Sequence, residues 1–197
     1  MNITQLYNDA VGLLKNLIST PSFSKEEEAT AGIIEQFLAA KNIPSQRLLN
    51  NVWAVNKYYD AAKPTLLLNS HHDTVRPNPQ YSKNPFTPIV EDGKLFGLGS
   101  NDAGGCLVSL IAAFLYFYDK KDLHYNILLA ATAEEEISGT NGIEKLLNMQ
   151  QQGSPFNKIT VAIVGEPTLM NLAIAEKGLL VLDAEAHGKA GHAAREE

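Results

Sequence analysis

The chain has 197 residues, 16 basic and 22 acidic, for a formal net charge of −6. That balance offers no basic footprint for nucleic acid and gives a mildly acidic surface that favours solubility. The single cysteine, Cys106, cannot form an internal disulfide. No apolar stretch reads as long and uncharged enough to span a bilayer, and residues 1–7 carry neither a basic n-region nor a signal-type apolar core. The expectation is a cytoplasmic protein with neither nucleic acid nor membrane as partner.

The predicted elements begin with a helix over residues 3–18, where Ile3, Leu6, Val11, Leu13, Leu14 and Leu17 recur near helical spacing. A turn at residues 19–22 follows. Ser24 then opens a Ser-Lys-Glu-Glu capping box with Glu27, predicting a second helix to about residue 41, closed by Ile43-Pro44. Residues 52–58 and 65–69 read as strands joined by a turn at 60–64. The segment 76–96 is proline-rich and polar, with a short hairpin around Glu91-Asp92-Gly93. A helix from about 103 to 119 is apolar on most faces, so it reads as buried, and its Cys106 as an inert core thiol. Strand 126–132, helix 139–151 and strand 159–164 complete a β-α-β rhythm, which argues for an α/β fold with a mixed, largely parallel sheet flanked by helices. Residues 172–175 and 179–186 read as two further strands.

Candidate chemistry gathers where strands end. Ser70-His71-His72-Asp73-Thr74-Val75 follows the apolar run 65–69. Residues i and i+2 of an extended chain share a face, so Asp73 can orient the His71 imidazole, an arrangement found around catalytic metals; His72 should face the other way. Asp102 lies in the glycine-rich loop 97–105, Glu134-Glu135-Glu136 follow strand 126–132, and Glu166, in Gly165-Glu166-Pro167-Thr168, follows strand 159–164. In open α/β sheets ligands collect outside the carboxyl ends of strands. One histidine and several carboxylates converging there suit a zinc-like divalent metal. The glycine-rich loop lacks the third glycine of a dinucleotide fingerprint and the Lys-Ser/Thr of a P-loop, and Asp102 would repel a phosphate. Asp102 also reads as a helix N-cap, the glutamate run as a solvated patch, and Glu166 as a turn residue. His124, in a polar loop, has the weaker claim.

Taken together, these motifs resemble the dizinc amidohydrolase family that includes acetylornithine deacetylase, succinyl-diaminopimelate desuccinylase and aminoacylases. Five appear in the family's order, the last being Gly188-Lys189-Ala190-Gly191-His192-Ala193. The resemblance implies that His71 and Glu166 bind one zinc, Asp102 bridges two, and Glu136 binds the second. It implies further that Asp73 orients His71 and Glu135 is the general base. Glu134 matches a family position usually filled by Asp. Cobalt would be an alternative metal. The same likeness implies a catalytic domain over residues 1–177 and the start of an α+β lid domain from 178. That lid would mediate a homodimer and carry His192 into the partner's site.

Three departures accompany the likeness. Ala103-Gly104-Gly105 stands where many members have a basic residue, and Arg76 precedes Pro77 where many have Pro directly. None of His71, His72, His124, His187 and His192 occupies the family's distant C-terminal ligand position. The chain therefore reads as the N-terminal part of a longer enzyme, inactive alone. The expected activity is hydrolysis of an N-acyl amino acid, with N-acetylornithine, hence arginine biosynthesis, in first place. A desuccinylase or dipeptidase is the close alternative, and a non-catalytic metabolite-binding or interaction fragment the alternative of another class.

Overall fold

A computed structural model of the chain describes residues 2–149, 153–175, 177, 178, 180, 182, 184, 185, 187 and 188. It divides into two units, Met1–Pro167 and Thr168–Glu197. In the first unit, α1 (Ile3–Ile18) starts at Asn2, whose side chain accepts the Gln5 N–H, and buries Leu6, Leu13, Leu14, Leu17 and Ile18. The second helix, α2, spans Glu28–Ala40 and buries Thr30, Ala31, Ile34 and Leu38. It starts later than the capping box predicts, because the Ser24 hydroxyl donates to Asp73 Oδ2 at 2.7 Å and Glu27 makes no side-chain cap bond.

Among the described residues seven strands follow: β1 (Gln46–Leu48), β2 (Asn51–Val55), β3 (Thr65–His71), β4 (Ile89–Glu91), β5 (Lys94–Phe96), β6 (Asn126–Thr132) and β7 (Ile159–Val164). Five form a sheet in the order β1-β2-β6-β3-β7. The pairs β1/β2 and β2/β6 are antiparallel, whereas β6/β3 and β3/β7 are parallel. This is the expected mixed, largely parallel sheet. β4 and β5 form a separate hairpin across Asp92-Gly93, both at positive φ.

Alternation along the strands splits the core into two layers. Val52, Ala54, Leu68, Ile127, Leu129 and Ala131 pack with α1, α2 and α3 (Cys106–Phe117). Leu67, Leu128 and Ala130 face the other way, onto Leu146 and Phe156, where Trp53 meets Phe156 edge-on at 5.5 Å. The segment Ser100–Phe117 is long and apolar enough by composition alone to cross a membrane, contrary to the expectation from sequence. Non-helical backbone at Asp102 and Ala103 interrupts it, so α3 itself is 12 residues, about 18 Å and well short of a bilayer core. The helix expected over 139–151 is reduced to α4 (Ile143–Leu147). Residues before it are committed elsewhere: the N–H groups of Gly139 and Asn141 donate to Glu134 O and Oε2.

In the second unit, Asn171 folds back on Thr168 through its N–H and side-chain amide, both 3.1 Å from the carbonyl. Residues 172–175 lack strand structure. The strand expected over 179–186 and the motif residue His192 lie partly or wholly outside the described residues.

Candidate metal centre

The parallel strands β3, β6 and β7 end on one edge of the sheet, with His71 level with Thr132 and Asn69 level with Val164. Every candidate residue but Asp102 is therefore delivered to that edge by the end of one of these strands. His71 closes β3. The glutamate run begins two residues after β6, and Glu166 lies two residues after β7. Ser70 Oγ donates to Gly165 O at 2.8 Å, tying the exit of β7 to β3. Asp102 arrives from the loop before α3. Gly99, at φ +72, allows that loop to approach β3, since a Cβ there would sit 2.7 Å from Thr74 Cγ2. Asp102 is not the cap of α3; that position belongs to Gly105.

His71 is buried, and its two ring nitrogens have separate roles. Nδ1 lies 3.1 Å from Asp73 O and 3.2 Å from Asp73 Oδ1, so it donates there and leaves Nε2 for the cleft. Around Nε2 stand Asp102 Oδ1 at 3.2 Å, Glu135 Oε2 at 3.7 Å and Glu166 Oε1 at 3.9 Å. His71, Asp102 and Glu136 each offer an atom within 4.8 Å of the others. His72 faces away, bonded at 2.9 Å to both Thr30 Oγ1 and Asn50 O, and burial pushes its pKa down. His124 is exposed, outside this cluster.

Asp73 also organises the glutamate turn. Its Oδ1 accepts the Glu135 N–H at 3.1 Å and its Oδ2 the Glu136 N–H at 3.2 Å. Glu134, at φ +55, turns inward, and its carboxylate takes the Asn141 side-chain amide at 3.1 Å. Gly139 leaves room for it, because a Cβ there would fall 2.2 Å from Glu134 Oε2. Ser24, Asn141 and Gly139 carry no signal of these roles in the sequence, since their partners are set by the fold.

The electrostatics follow from this crowding. Burial opposes protonation of His71 more than any other influence. The hydrogen bond and charge of Asp73, with Glu166 and Glu135, together outweigh it and lift the pKa to about 9. Burial likewise pushes the Asp73 carboxyl up, but His71, Ser24 and the Glu135 N–H more than reverse this and hold it below the usual range. Glu136 is raised by burial and then by Asp102; Glu166 is raised by burial and by the neighbouring carboxylates, against the pull of His71. Burial, Glu166 and Asp102 also push the Cys106 thiol up, which disfavours its thiolate. Among the described residues no lysine or arginine pairs with Asp102, Glu135, Glu136 or Glu166. One imidazole and four carboxylates without a fixed cation form a donor set that fits a divalent metal of the zinc type. Beside it lies a cleft of about 530 Å³ whose walls include Thr74, Tyr81, Lys83, Phe96, Asp102 and Glu136.

Comparisons with known proteins agree with this geometry. Residues 67–185 match the model of peptidase family M20/M25/M40. The succinyl-diaminopimelate desuccinylase of Beijerinckia indica subsp. indica is 32% identical over 94% of this chain and 51% of its own length. That of Blochmanniella floridana is 31% identical over 96% and 52%. The chain thus spans about half the length of these curated relatives. Among solved structures, an M20 metallo-carboxypeptidase of Sulfolobus solfataricus superposes with a TM-score of 0.66 at 22% identity, over 79% of this chain and 37% of that one. A Bacillus subtilis protein described as a dinuclear metal-binding peptidase of the M20 family gives 0.60 at 17%, over 83% and 43%. Those two likenesses show the fold. The family match spans more than half the chain and takes in His71, Asp102, Glu136 and Glu166, and the chain belongs to peptidase family M20/M25/M40.

Proposed function

We propose that this chain contributes the metal-binding half of an active site that hydrolyses the amide bond of an N-acyl amino acid, with N-succinyl substrates foremost. The observation that carries the proposal is the meeting of His71, Asp102 and Glu136 within 4.8 Å at the C-terminal edge of parallel strands, with Glu135 beside them. Succinyl-diaminopimelate desuccinylases of about 30% identity favour the succinyl group. Acetylornithine, first in the reading of the sequence alone, has no such support. A dipeptide substrate is the second reading, favoured by the fold shared with human carnosine dipeptidase 1, at TM-score 0.63 and 20% identity over 85% of this chain and 39% of that one.

His71, Asp102, Glu136 and Glu166 would hold zinc, with cobalt as a substitute; a dinuclear arrangement follows the description of the B. subtilis relative by fold. Bound divalent metal supplies Lewis acidity and makes water a better nucleophile near neutral pH. Asp73 keeps the His71 ring oriented through Nδ1. The half-exposed Glu135 carboxylate takes a proton from the attacking water and returns it to the leaving amine. It suits this role because its carboxylate stands 3.7 Å from His71 Nε2 and its backbone N–H is held by Asp73. His192 as an oxyanion donor from a partner subunit, a lid from residue 178, a homodimer and a cytoplasmic location complete the proposal by resemblance.

The test is an assay of the natural-length protein with zinc against N-succinyl-diaminopimelate, N-acetylornithine and a dipeptide panel. We expect preferential release of succinate, abolished by chelation. Absence of amide hydrolysis across the panel in metal-loaded protein would refute the catalytic reading.

A further inference from the structure

We propose that Glu27 is a positioning residue for the metal centre: its buried carboxylate holds the Glu134 N–H and thereby fixes the turn that presents Glu135 and Glu136. This deepens the metal reading above and rests on it. Glu27 is fully buried, at 0% exposure. Among the described residues no lysine, arginine or histidine forms an ion pair with it. A bare buried charge is tolerated only when hydrogen-bond donors saturate it. Three do so: Oε1 accepts the N–H groups of Lys25 at 2.7 Å and Glu134 at 3.1 Å, and Oε2 accepts Asn50 Nδ2 at 2.8 Å.

These donors come from three separate segments: the loop before α2, the β1–β2 turn and the exit of β6. A helix-capping role would have taken N–H groups of α2, and Glu27 takes none by its side chain. Its bond to Glu134 instead completes a series. The successive N–H groups of Glu134, Glu135 and Glu136 end on carboxylate oxygens of Glu27, Asp73 and Asp73. Consecutive N–H groups turned toward one side form an anion-binding concavity. Glu134 stands at φ +55, a conformation costly for a residue with a Cβ unless neighbours impose it. Glu27 is one such neighbour, and among the described residues its side chain bonds Lys25, Asn50 and Glu134 rather than His71, Asp102, Glu136 or Glu166.

Asn50 supplies the means of a test, because its Oδ1 is held by Arg47 Nη2 at 3.0 Å. In Glu27→Gln the new amide nitrogen faces either Asn50 Nδ2 or the Glu134 N–H, donor against donor. In Asn50→Asp two carboxylates face each other. In the double variant the amide nitrogen introduced at position 27 donates to the carboxylate introduced at position 50. That carboxylate still accepts from Arg47, and the amide oxygen at position 27 accepts the Glu134 N–H. The experiment uses the natural-length protein, metal-free, with hydrogen exchange at the Glu134–Glu136 amides, and then titration with Co²⁺ followed by its visible spectrum. Each single variant should lose protection at Glu134, weaken Co²⁺ binding about tenfold, in the range seen for groups supporting metal ligands, and alter the spectrum. The double variant should recover all three. A role confined to stability would lower the denaturation midpoint while leaving affinity and spectrum of the folded protein unchanged, and that outcome counts against the proposal. Unchanged Co²⁺ affinity and spectrum in both single variants, or failure of the double variant to recover, overturns it as well. A protein without these substitutions that shows normal exchange protection but binds no Co²⁺ refutes the metal reading and with it the positioning role.

Discussion

Metal binding through His71, as proposed, would be a competition with protons. In the metal-free protein its pKa stands at about 9, and only the neutral ring offers Nε2 as a ligand. At pH 7, two units below that value, about 1% of the rings are neutral, so apparent affinity should be about 100-fold below its high-pH limit, roughly 2.7 kcal/mol. At pH 8 the deficit is about tenfold, and above pH 9 the curve should flatten. Near neutrality each metal bound through His71 should therefore expel about one proton. The raised Glu136 and Glu166 carboxyls add further proton competition. Calorimetric titration with zinc in two buffers of different ionisation enthalpy measures the proton directly, and chelator competition from pH 6.5 to 9.5 gives the slope. Asp73→Asn, which removes the strongest influence raising the His71 pKa, should flatten that slope above pH 7 and reduce proton release, even as it loosens the ring. Constant affinity between pH 7 and 8.5, with no proton released, would show that His71 is neutral in the metal-free protein or is not a ligand.

Other expectations follow from the same geometry. Without metal, His71 stabilises the folded state by about 3 kcal/mol below its ordinary pKa, since protonation favours the fold that raises it; this is lost as pH rises from about 6.5 through 9, and urea denaturation of the metal-free protein at pH 6 and 9.5 should reveal it, other groups being compared through His71→Gln. Glu135→Gln should keep zinc and lower kcat of the natural-length protein by about 10²–10⁴, whereas Glu136→Gln should lower metal content first, as elemental analysis of dialysed protein would show. Gly139→Ala places a Cβ 2.2 Å from Glu134 Oε2 and should cost about 1–3 kcal/mol in urea denaturation; no measurable loss would mean that Glu134 has another place to go.

What is legible in the sequence is what short-range periodicity and strand order govern. The runs 65–69, 126–132 and 159–164 are apolar enough to read as strands, and a parallel arrangement brings their ends to one edge. His71 and His72 are separable because alternation puts them on opposite faces, and His72 does point at Thr30 and Asn50. Sequence and structure part where a side chain's partner is distant. Ser24 and Glu27 have the spacing of a capping box, yet Ser24 bonds Asp73, 49 residues away, and Glu27 bonds Glu134, 107 residues away. The helix expected over 139–151 is shorter because its first residues serve Glu134. The β1–β2 hairpin escapes the sequence in part because Leu49, at φ +55, is not a residue that announces a turn.

The carboxylates at this sheet edge show the same limit from the side of chemistry. Glu27, Asp73 and Glu134 are buried, and their oxygens are filled by N–H and O–H donors of the protein. Asp102, Glu135 and Glu166 are about one-third or more exposed, and each carboxylate lies within 3.9 Å of His71 Nε2. Glu136 shares their cluster with a raised pKa. The first three are framework: their charge is already answered by dipoles, and a metal would have to displace them. The other four retain free lone pairs directed at a common region, with mutual repulsion that a cation relieves. Three adjacent letters, Glu134-Glu135-Glu136, contain both kinds. What separates them is the turn at Glu134, whose left-handed backbone sends one carboxylate inward to Asn141 and leaves the next two beside His71 and Asp102. Framework and candidate ligand positions at this edge are therefore separated by backbone geometry rather than by residue type, and for that reason substitutions in Glu27 or Gly139 should reach the proposed metal site without touching it.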